Sequence, residues 1–277
     1  VVANGIVKPE NANKILKELP LDLKGNFLNK SQLMVLDIIA NANWERPIYF
    51  GVGMGTEAYL GLEKYFQLEG AAYRLVPLET KDAGFMDYGR IDSDILYDNL
   101  MNKFEWGNIK DPKVNIDYFH DNTIAVMKYR NTFLRLAEQL HAEGKSEKAI
   151  AVLDKCMEEL PITQVPVDNT LLNYIPLYYT LGATEKANHL LLELAENNYQ
   201  MLRYTNSLSP KFANTAGIQQ EENISMRVIQ MLFEIAMGAG QKELAHKIKN
   251  KVESIYNPAL LRTAQPQSAA VPADSGR

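Results

Sequence analysis

Cysteine is almost missing from this 277-residue chain, where Cys156 stands alone. One thiol excludes an intramolecular disulfide and a cysteine zinc cluster. Its place on the apolar side of a helical pattern marks it as a small buried hydrophobe. Histidine is scarce as well. His120, His141, His189 and His246 fall at no metal-ligand spacing, and no HExxH pattern occurs, so no metal site is expected. A basic excess is also lacking. The 29 Lys and Arg stand against 34 Asp and Glu, a net charge of −5, and the cations are scattered, so nucleic acid is not an expected partner. No apolar run approaches the ~18 residues of a bilayer span, and no signal peptide is legible at the start. The chain opens on Val1-Val2-Ala3-Asn4 without a methionine, as an excised or processed piece of a longer protein would.

Catalytic patterns are missing too. There is no GxSxG elbow for a serine nucleophile. Gly51-Val52-Gly53-Met54-Gly55 sits between a predicted strand and a predicted helix. It lacks the later glycine of GxGxxG and any GK[ST], so it reads as a connecting loop and no nucleotide cofactor is expected. Asp92/Asp94 and Glu158/Glu159 read as helix-start and solvated-face charges. No catalytic residue emerges, and the chain by itself is not expected to be an enzyme.

What is present is a spaced helical pattern. Phe133, Leu136, Ala137 and Leu140 share one helix face; Gly144-Lys145 forms a turn; Ala149, Leu153 and Cys156 follow, and Pro161 ends the run. Small residues fall where two helices cross closely, and a glycine falls where the first helix must end in a left-handed residue. This is the pattern of a tetratricopeptide (TPR) hairpin. It returns around Gly182, with Ala187, Leu191 and Leu194, and around Gly240, with Ala245 and Val252. The glycine spacings exceed the ~34 residues of a regular array. Residues 199–219 therefore read as an inserted linker with a short helix at 198–204.

The first third is mixed. Residues 31–40 read as a one-sided helix capped by Ser31, with Leu33, Leu36, Ile39 and Ala40 on its apolar side. Pro47-Ile48-Tyr49-Phe50 reads as a short buried strand with proline at its first position. Residues 57–69 read as a second helix, through Tyr59, Leu62, Tyr65/Phe66 and Leu68, and residues 71–78 as a returning strand. Strand, helix, strand implies a small βαβ-like unit, to which residues 1–7 could add a strand. Residues 81–89 read as loop, 92–104 as helix, 123–143 as a long amphipathic helix, and 263–277 as a disordered tail rich in Ala, Pro, Ser and Gln.

The densest unusual cluster is Asn41, Asn43, Trp44, Glu45, Arg46 and Pro47. It sets an aromatic plane, a bidentate donor and amides side by side, groups able to bind a sugar or a peptide carboxylate. The competing reading packs Trp44 between helix and strand and pairs Arg46 with an acid such as Glu69. In the helical region, Asn173, Tyr174, Tyr178 and Tyr179 are candidates for a groove, against the alternative of packing within the hairpin.

Three segments carry a resemblance: Ser31 through Trp44-Glu45-Arg46-Pro47-Ile48-Tyr49-Phe50, Gly61 through Glu69-Gly70-Ala71-Ala72-Tyr73-Arg74-Leu75-Val76-Pro77, and Tyr97 through Phe104-Glu105-Trp106-Gly107-Asn108. Together they resemble the soluble C-terminal region of a family of bacterial multi-span membrane proteins. That family is of unknown function and is similar to protein O-mannosyltransferases. The resemblance spans about residues 1–260. It implies an extracytoplasmic region with TPR-like helices, lying on the periplasmic face of the cytoplasmic membrane. The catalytic acids of the mannosyltransferase class lie near the first membrane helices, in a segment not among these residues, so none is carried over. Asn43, Trp44, Arg46, Pro47, Tyr49, Tyr65, Glu69, Gly70, Tyr73, Arg74 and Pro77 match as signature positions without an assigned role.

The expected architecture is therefore an α+β unit over residues 1–115, an all-α TPR-like hairpin array over 116–260, and a tail over 261–277. The expected function is a non-catalytic accessory region that binds an acceptor protein, a peptide or another partner, or the membrane part of the same protein. The alternatives are a carbohydrate-binding module, with a glycan as ligand, or a structural scaffold. The candidate binding residues are Asn43, Trp44, Arg46, Tyr49, Glu69, Arg74, Asn173, Tyr174 and Tyr178.

Overall fold

The computed structural model describes residues 1–21, 23, 26–80, 88–117, 126–165, 167 and 169–256. The chain forms a small N-terminal sheet region followed by helices. It divides into two compact units, Val1–Tyr174 and a second beginning at Ile175.

In the first unit, α1 (Lys30–Asn41) is opened by a capping box: the Asn29 side chain accepts from the Gln32 N–H, and Gln32 accepts from the Asn29 N–H. Asn29 thus takes the cap expected of Ser31. The sheet holds β1 (Tyr49–Gly51), β2 (Phe66–Leu68), β3 (Ala72–Leu75) and β4 (Arg90–Ile91) in the order β1-β3-β2-β4. β3 runs antiparallel to both β1 and β2, and β4 runs parallel to β2.

The helix expected over 57–69 does not form. In its place stand two 3-10 turns, Thr56–Tyr59 and Glu63–Tyr65, and then β2. Leu60 (φ 57°) and Gly61 (φ 73°) are left-handed, which interrupts any helix. The spacing Tyr59, Leu62, Tyr65 is that of 3-10 turns with eclipsed i, i+3 side chains, and all three residues are buried. The unit is therefore not βαβ-like: β2 and β3 make an antiparallel hairpin, with Gly70 at φ 120° in the turn. Residues 1–7 add no strand. They form turns that insert Ile6 and Val7 against Val76 and Leu78.

One face of the sheet packs an aromatic cluster. Phe66 stacks on Tyr73 at 5.1 Å, and Phe50, Tyr59 and Tyr88 surround the pair. These residues come from β1, β2, β3 and the adjoining turns, so the cluster ties non-local segments together. After β4, Asp92 caps α2 (Ser93–Asp98) through the Ile95 N–H, and a π turn (Asn99–Lys103) completes the helical run read over 92–104.

Three helical hairpins follow among the described residues. α3 (Val126–Ala142) pairs with α4 (Ser146–Glu159) in the first unit. α5 (Thr170–Thr180) leads into α6 (Thr184–Ser207), and the short α7 (Pro210–Ala213) precedes α8 (Ala216–Gly238) and α9 (Lys242–Tyr256). In the second unit α8 packs on both α6 and α9. The linker expected over 199–219 is mostly helix, because α6 continues unbroken to Ser207 and α8 begins at Ala216. Residues 118–125 and 257–277 lie outside the described residues, so the start of the helix expected over 123–143 and the expected tail fall there.

Each hairpin turns through the same device. The Lys145 N–H donates to the Leu140 carbonyl and the Gly144 N–H to His141. Ala183 and Gly182 do the same to Tyr178 and Tyr179, and Gln241 and Gly240 to Ala236 and Met237. These are Schellman closures with a left-handed glycine at φ 73°, 78° and 76°. A Cβ added at any of the three meets nothing within 4 Å. Gly144→Ala, Gly182→Ala and Gly240→Ala are therefore each expected to lose about 1–2 kcal/mol, the left-handed penalty alone. Urea denaturation of the three variants checks this. A variant several kcal/mol worse than the others would show that the turns are not equivalent.

The first unit also encloses a buried arginine. Arg130 of α3 is 0% exposed, and its Nη2 donates to the carbonyls of Leu160 and Val165, just past the end of α4. Arg135, one helix turn further on, donates to the carbonyls of Tyr88 and Gly89 and so clasps the sheet region to α3.

Candidate functional site

The face of the sheet opposite the aromatic cluster is polar. Strand registers place Tyr49, Arg74, Gln67 and Arg90 in one row, one residue from each strand in spatial order. Glu69, two residues beyond Gln67, joins the same face. The Tyr49 hydroxyl donates to Glu69 Oε2 at 2.7 Å, the Gln67 amide donates to Glu69 Oε1 at 2.8 Å, and Arg90 donates to Gln67 Oε1 at 3.1 Å. Arg74 lies 3.5 Å from Glu69 Oε1 and donates its other Nη to the Gly5 carbonyl. Asn99 donates to the Glu69 carbonyl from the π turn.

Burial makes this network consequential. Gln67 and Glu69 are buried and the Arg74 side chain is 12% exposed. Arg74 Nε is buried with no hydrogen-bond partner among the described residues. Tyr49, on the edge strand β1, is 48% exposed. Burial, reinforced by the Glu69 carboxylate beside it, pushes the Tyr49 phenol up to about 12.

The sign of that shift sets a pH dependence. A phenol held above its usual value near 10 contributes stability that is complete below pH 10 and is lost as pH rises from 10 through 12. Tyr59 and Tyr256 are also pushed up to about 12. In a tyrosinate absorbance titration of the folded chain, Tyr49→Phe is expected to remove one phenol from the latest-titrating set and leave the earlier phase intact. Loss from the earlier phase would mean that Tyr49 is not held by Glu69.

Of the sequence candidates, the structure brings Tyr49, Glu69 and Arg74 together. Arg46 does not pair with Glu69. It is exposed and makes no ion pair or side-chain hydrogen bond with the described residues, and Arg74 takes that place because it faces Glu69 across the β2–β3 hairpin. Asn43 (φ 47°) and Trp44 (φ 57°) are consecutive left-handed residues, an uncommon backbone for a bulky side chain. Trp44 packs partly buried against the Ile6, Val7, Val76 and Leu78 cluster, and its carbonyl accepts from Asn4. Trp44 and Arg74 are thus joined through the turn at Asn4-Gly5, whereas Arg46 points to solvent.

The helical candidates do not form a groove. Tyr174 is 0% exposed, and its hydroxyl donates to the Arg130 carbonyl and meets Cys156 Sγ at 3.2 Å. Tyr178 is 2% exposed, and Asn173 is exposed. The i, i+4 pair of tyrosines faces inward because an aromatic stripe at helical spacing supplies core area, so Tyr174 and Tyr178 cannot line an open surface. Tyr179 donates to Asn188 of α6.

Sequence reasoning missed Gln67 and Arg90. A strand period of two, applied from Glu69 back to Gln67, would have found the first. The Gly51–Gly55 loop is tied down rather than open: Gly51 accepts from Tyr59 and the Val52 carbonyl accepts from Lys128. Asp92 and Asp94 share Lys8, and Glu158 and Glu159 share Lys110. No group of His, Cys, Asp or Glu among the described residues could hold a metal ion.

A second open feature lies beside α1. No residue of this helix is buried, and Leu33, Met34 and Ile38 are each more than half exposed. Among the described residues, no helix is long and apolar enough to cross a membrane.

Residues 1–95 match the family model described as TMEM260-associated domain 2, a domain associated with a membrane protein. The match takes in the polar row, the aromatic cluster and α1, and stops inside α2. No curated protein and no solved structure matches the chain.

Proposed function

We propose that this chain is a non-catalytic accessory region of a membrane glycosyltransferase-like protein, extracytoplasmic in location, that docks a protein partner. The observation that carries this reading is α1. A 12-residue helix with a complete capping box folds with none of its residues buried. Helices are held in proteins chiefly by packing an apolar face, and a helix apolar on most sides is normally enclosed. Leu33, Met34 and Ile38 are therefore read as the part that a partner covers. Residues 1–95, which include α1, match a family model for a domain associated with a membrane protein, and this supports an accessory role. The three Schellman-closed hairpins support the TPR-type reading of the rest, an architecture that commonly holds partners. The polar row is read as a rigid internal network that fixes the sheet and residues 4–5.

A sugar module centred on Trp44 and Arg46 has less support. Its platform would be the indole face, and that indole leans on the Ile6–Val76 cluster.

The test is a photo-crosslinking residue placed at Ile38 in the larger membrane protein that the resemblance implies, with Gln230 as an exposed control position. A protein adduct specific to Ile38, either to another chain or to the membrane portion of the same one, is the expected outcome. Adducts with lipid alone, or equal labelling at both positions, would overturn the reading.

A further inference from the structure

The geometry points to a second docking element, on the opposite side of α1 from its exposed face: a groove that seats a segment of a partner protein carrying one large apolar side chain next to a lysine or arginine. The inference rests on the docking reading above and names the partner's chemistry.

The groove encloses about 500 Å³, within the range of ligand pockets, between Leu23, Phe27, Leu28 and Asn29, the start of α1 and the turns at 56–63. Its apolar walls are Leu23, Phe27, Leu28 and Leu60. Phe27 is 83% exposed, the most exposed large hydrophobic side chain among the described residues, and Leu23 is 40% exposed. An aromatic left this open at the mouth of a groove is what an apolar anchor of a partner would cover.

Charge selects the partner. Glu57 and Glu63 line the groove, neither makes an ion pair with a described residue, and no Lys, Arg or His is among its described lining residues. The neighbouring Lys64 is drawn away to Glu79 and the ring of Tyr65. Two carboxylates without an ion-pair partner among the described residues, beside an apolar wall, repel an acidic segment and favour a cation. They also disfavour an anionic membrane surface as occupant.

The walls are preorganised. Gln32 completes the capping box of α1 and at the same time donates to the Glu57 carbonyl at 3.1 Å, which pins the helix start to the turn bearing Glu57. Leu60 holds a left-handed conformation at φ 57° within the lining, a strain of the kind found at binding sites. Fixing the walls in advance lowers the ordering entropy lost on binding.

The experiment selects a displayed random peptide library on the immobilised 277-residue chain. Enriched peptides are then synthesised, and their affinity is measured by fluorescence polarisation. The expected result is enrichment of an aromatic or leucine next to Lys or Arg. Affinity should fall at least tenfold with Phe27→Ala and with the pair Glu57→Lys, Glu63→Lys, and should weaken as salt rises. Glu57 is exposed and Glu63 half-buried, and neither makes an ion pair with a described residue, so an unchanged urea midpoint for the charge-reversed pair separates loss of binding from loss of folding. Enriched peptides that are acidic, or that bind the Glu57→Lys, Glu63→Lys variant equally well, would overturn the groove assignment. If those peptides are instead lost with Leu33→Ala, Met34→Ala and Ile38→Ala, the accessory docking reading survives and the groove falls. A concentration-dependent dimer abolished by Phe27→Ala would make a second copy the occupant and overturn the inference. Failure to enrich any peptide would also overturn it, while the Ile38 crosslink decides the docking reading separately.

Discussion

Gly89→Ala is expected to destabilise the sheet-bearing unit by about 3 kcal/mol or more. Two independent effects combine there. Gly89 has φ 74°, where an L side chain costs about 1–2 kcal/mol. A Cβ at that position would also lie 2.4 Å from the Phe66 carbonyl oxygen, a contact with backbone that no rotamer change relieves. Neither strand can readily step aside. Phe66 is fully buried in the aromatic cluster, and Arg135 of α3 holds the carbonyls of Tyr88 and Gly89. The extra atom must therefore break the β2–β4 pairing or the Arg135 clasp. Tryptophan fluorescence during urea denaturation reports this, because Trp106 packs on Tyr129 and Phe133 of α3. A change below about 1 kcal/mol would mean that β4 is only loosely attached. Gly70 is a useful contrast. Its φ is 120°, but the atom in the way is the ring edge of Phe104, 2.4 Å off, so the steric share at Gly70 is open to relief by Phe104→Ala while the share at Gly89 is not.

The helical half was legible because its signals are local. A Schellman glycine, an alanine at the crossing and an inward leucine all fall within about 15 residues, and the structure turns at Gly144, Gly182 and Gly240 as their spacing implies. The sheet was harder. Its strands are two to four residues long, too short to display a period of two. The helix expected over 57–69 failed because the i, i+3 recurrence of Tyr59, Leu62 and Tyr65 fits a 3-10 turn as well as it fits an α-helix, and the left-handed turn at Leu60-Gly61 decided between them. The cap at Asn29 was present in the sequence, since Gln32 stands three residues on as a capping box requires.

The candidate site was legible in part. Tyr49, Glu69 and Arg74 were marked by resemblance, but their grouping depends on register: β1 must pair with β3, and β3 with β2, before Tyr49 and Glu69 can meet across 20 residues of sequence. Arg46 and Arg74 are equally basic on paper, and only topology shows which one faces the acid. The inward direction of Tyr174 was ambiguous because a tyrosine at helical spacing serves core or groove alike. Its hydroxyl finds the Arg130 carbonyl, and Arg130 itself, a wholly buried cation, has no sequence signal that separates it from a surface arginine.

Glu69→Leu is expected to be the most damaging change within the polar row, at about 3–5 kcal/mol, the loss typical of removing one partner of a buried ion pair. Glu69 is 8% exposed and serves the Tyr49 hydroxyl, the Gln67 amide and the Arg74 guanidinium together. Without it, Arg74 keeps a mostly buried charge whose Nε already lacks a partner among the described residues, and the Gln67 amide loses its acceptor. Glu69→Gln should cost less, because an amide oxygen can still accept from Tyr49 or Gln67, and the Tyr49 phenol should then titrate earlier for want of the carboxylate. Adding Arg74→Leu to Glu69→Leu should recover a large part of the loss, since removing both charges leaves neither uncompensated. The double-mutant cycle, measured by urea denaturation, therefore predicts a coupling of more than about 1 kcal/mol between two residues that touch. Additive losses would show that Arg74 is held mainly by the Gly5 carbonyl, and would reassign the row from a charge-coupled network to a set of independent contacts between the sheet and the N-terminal turn.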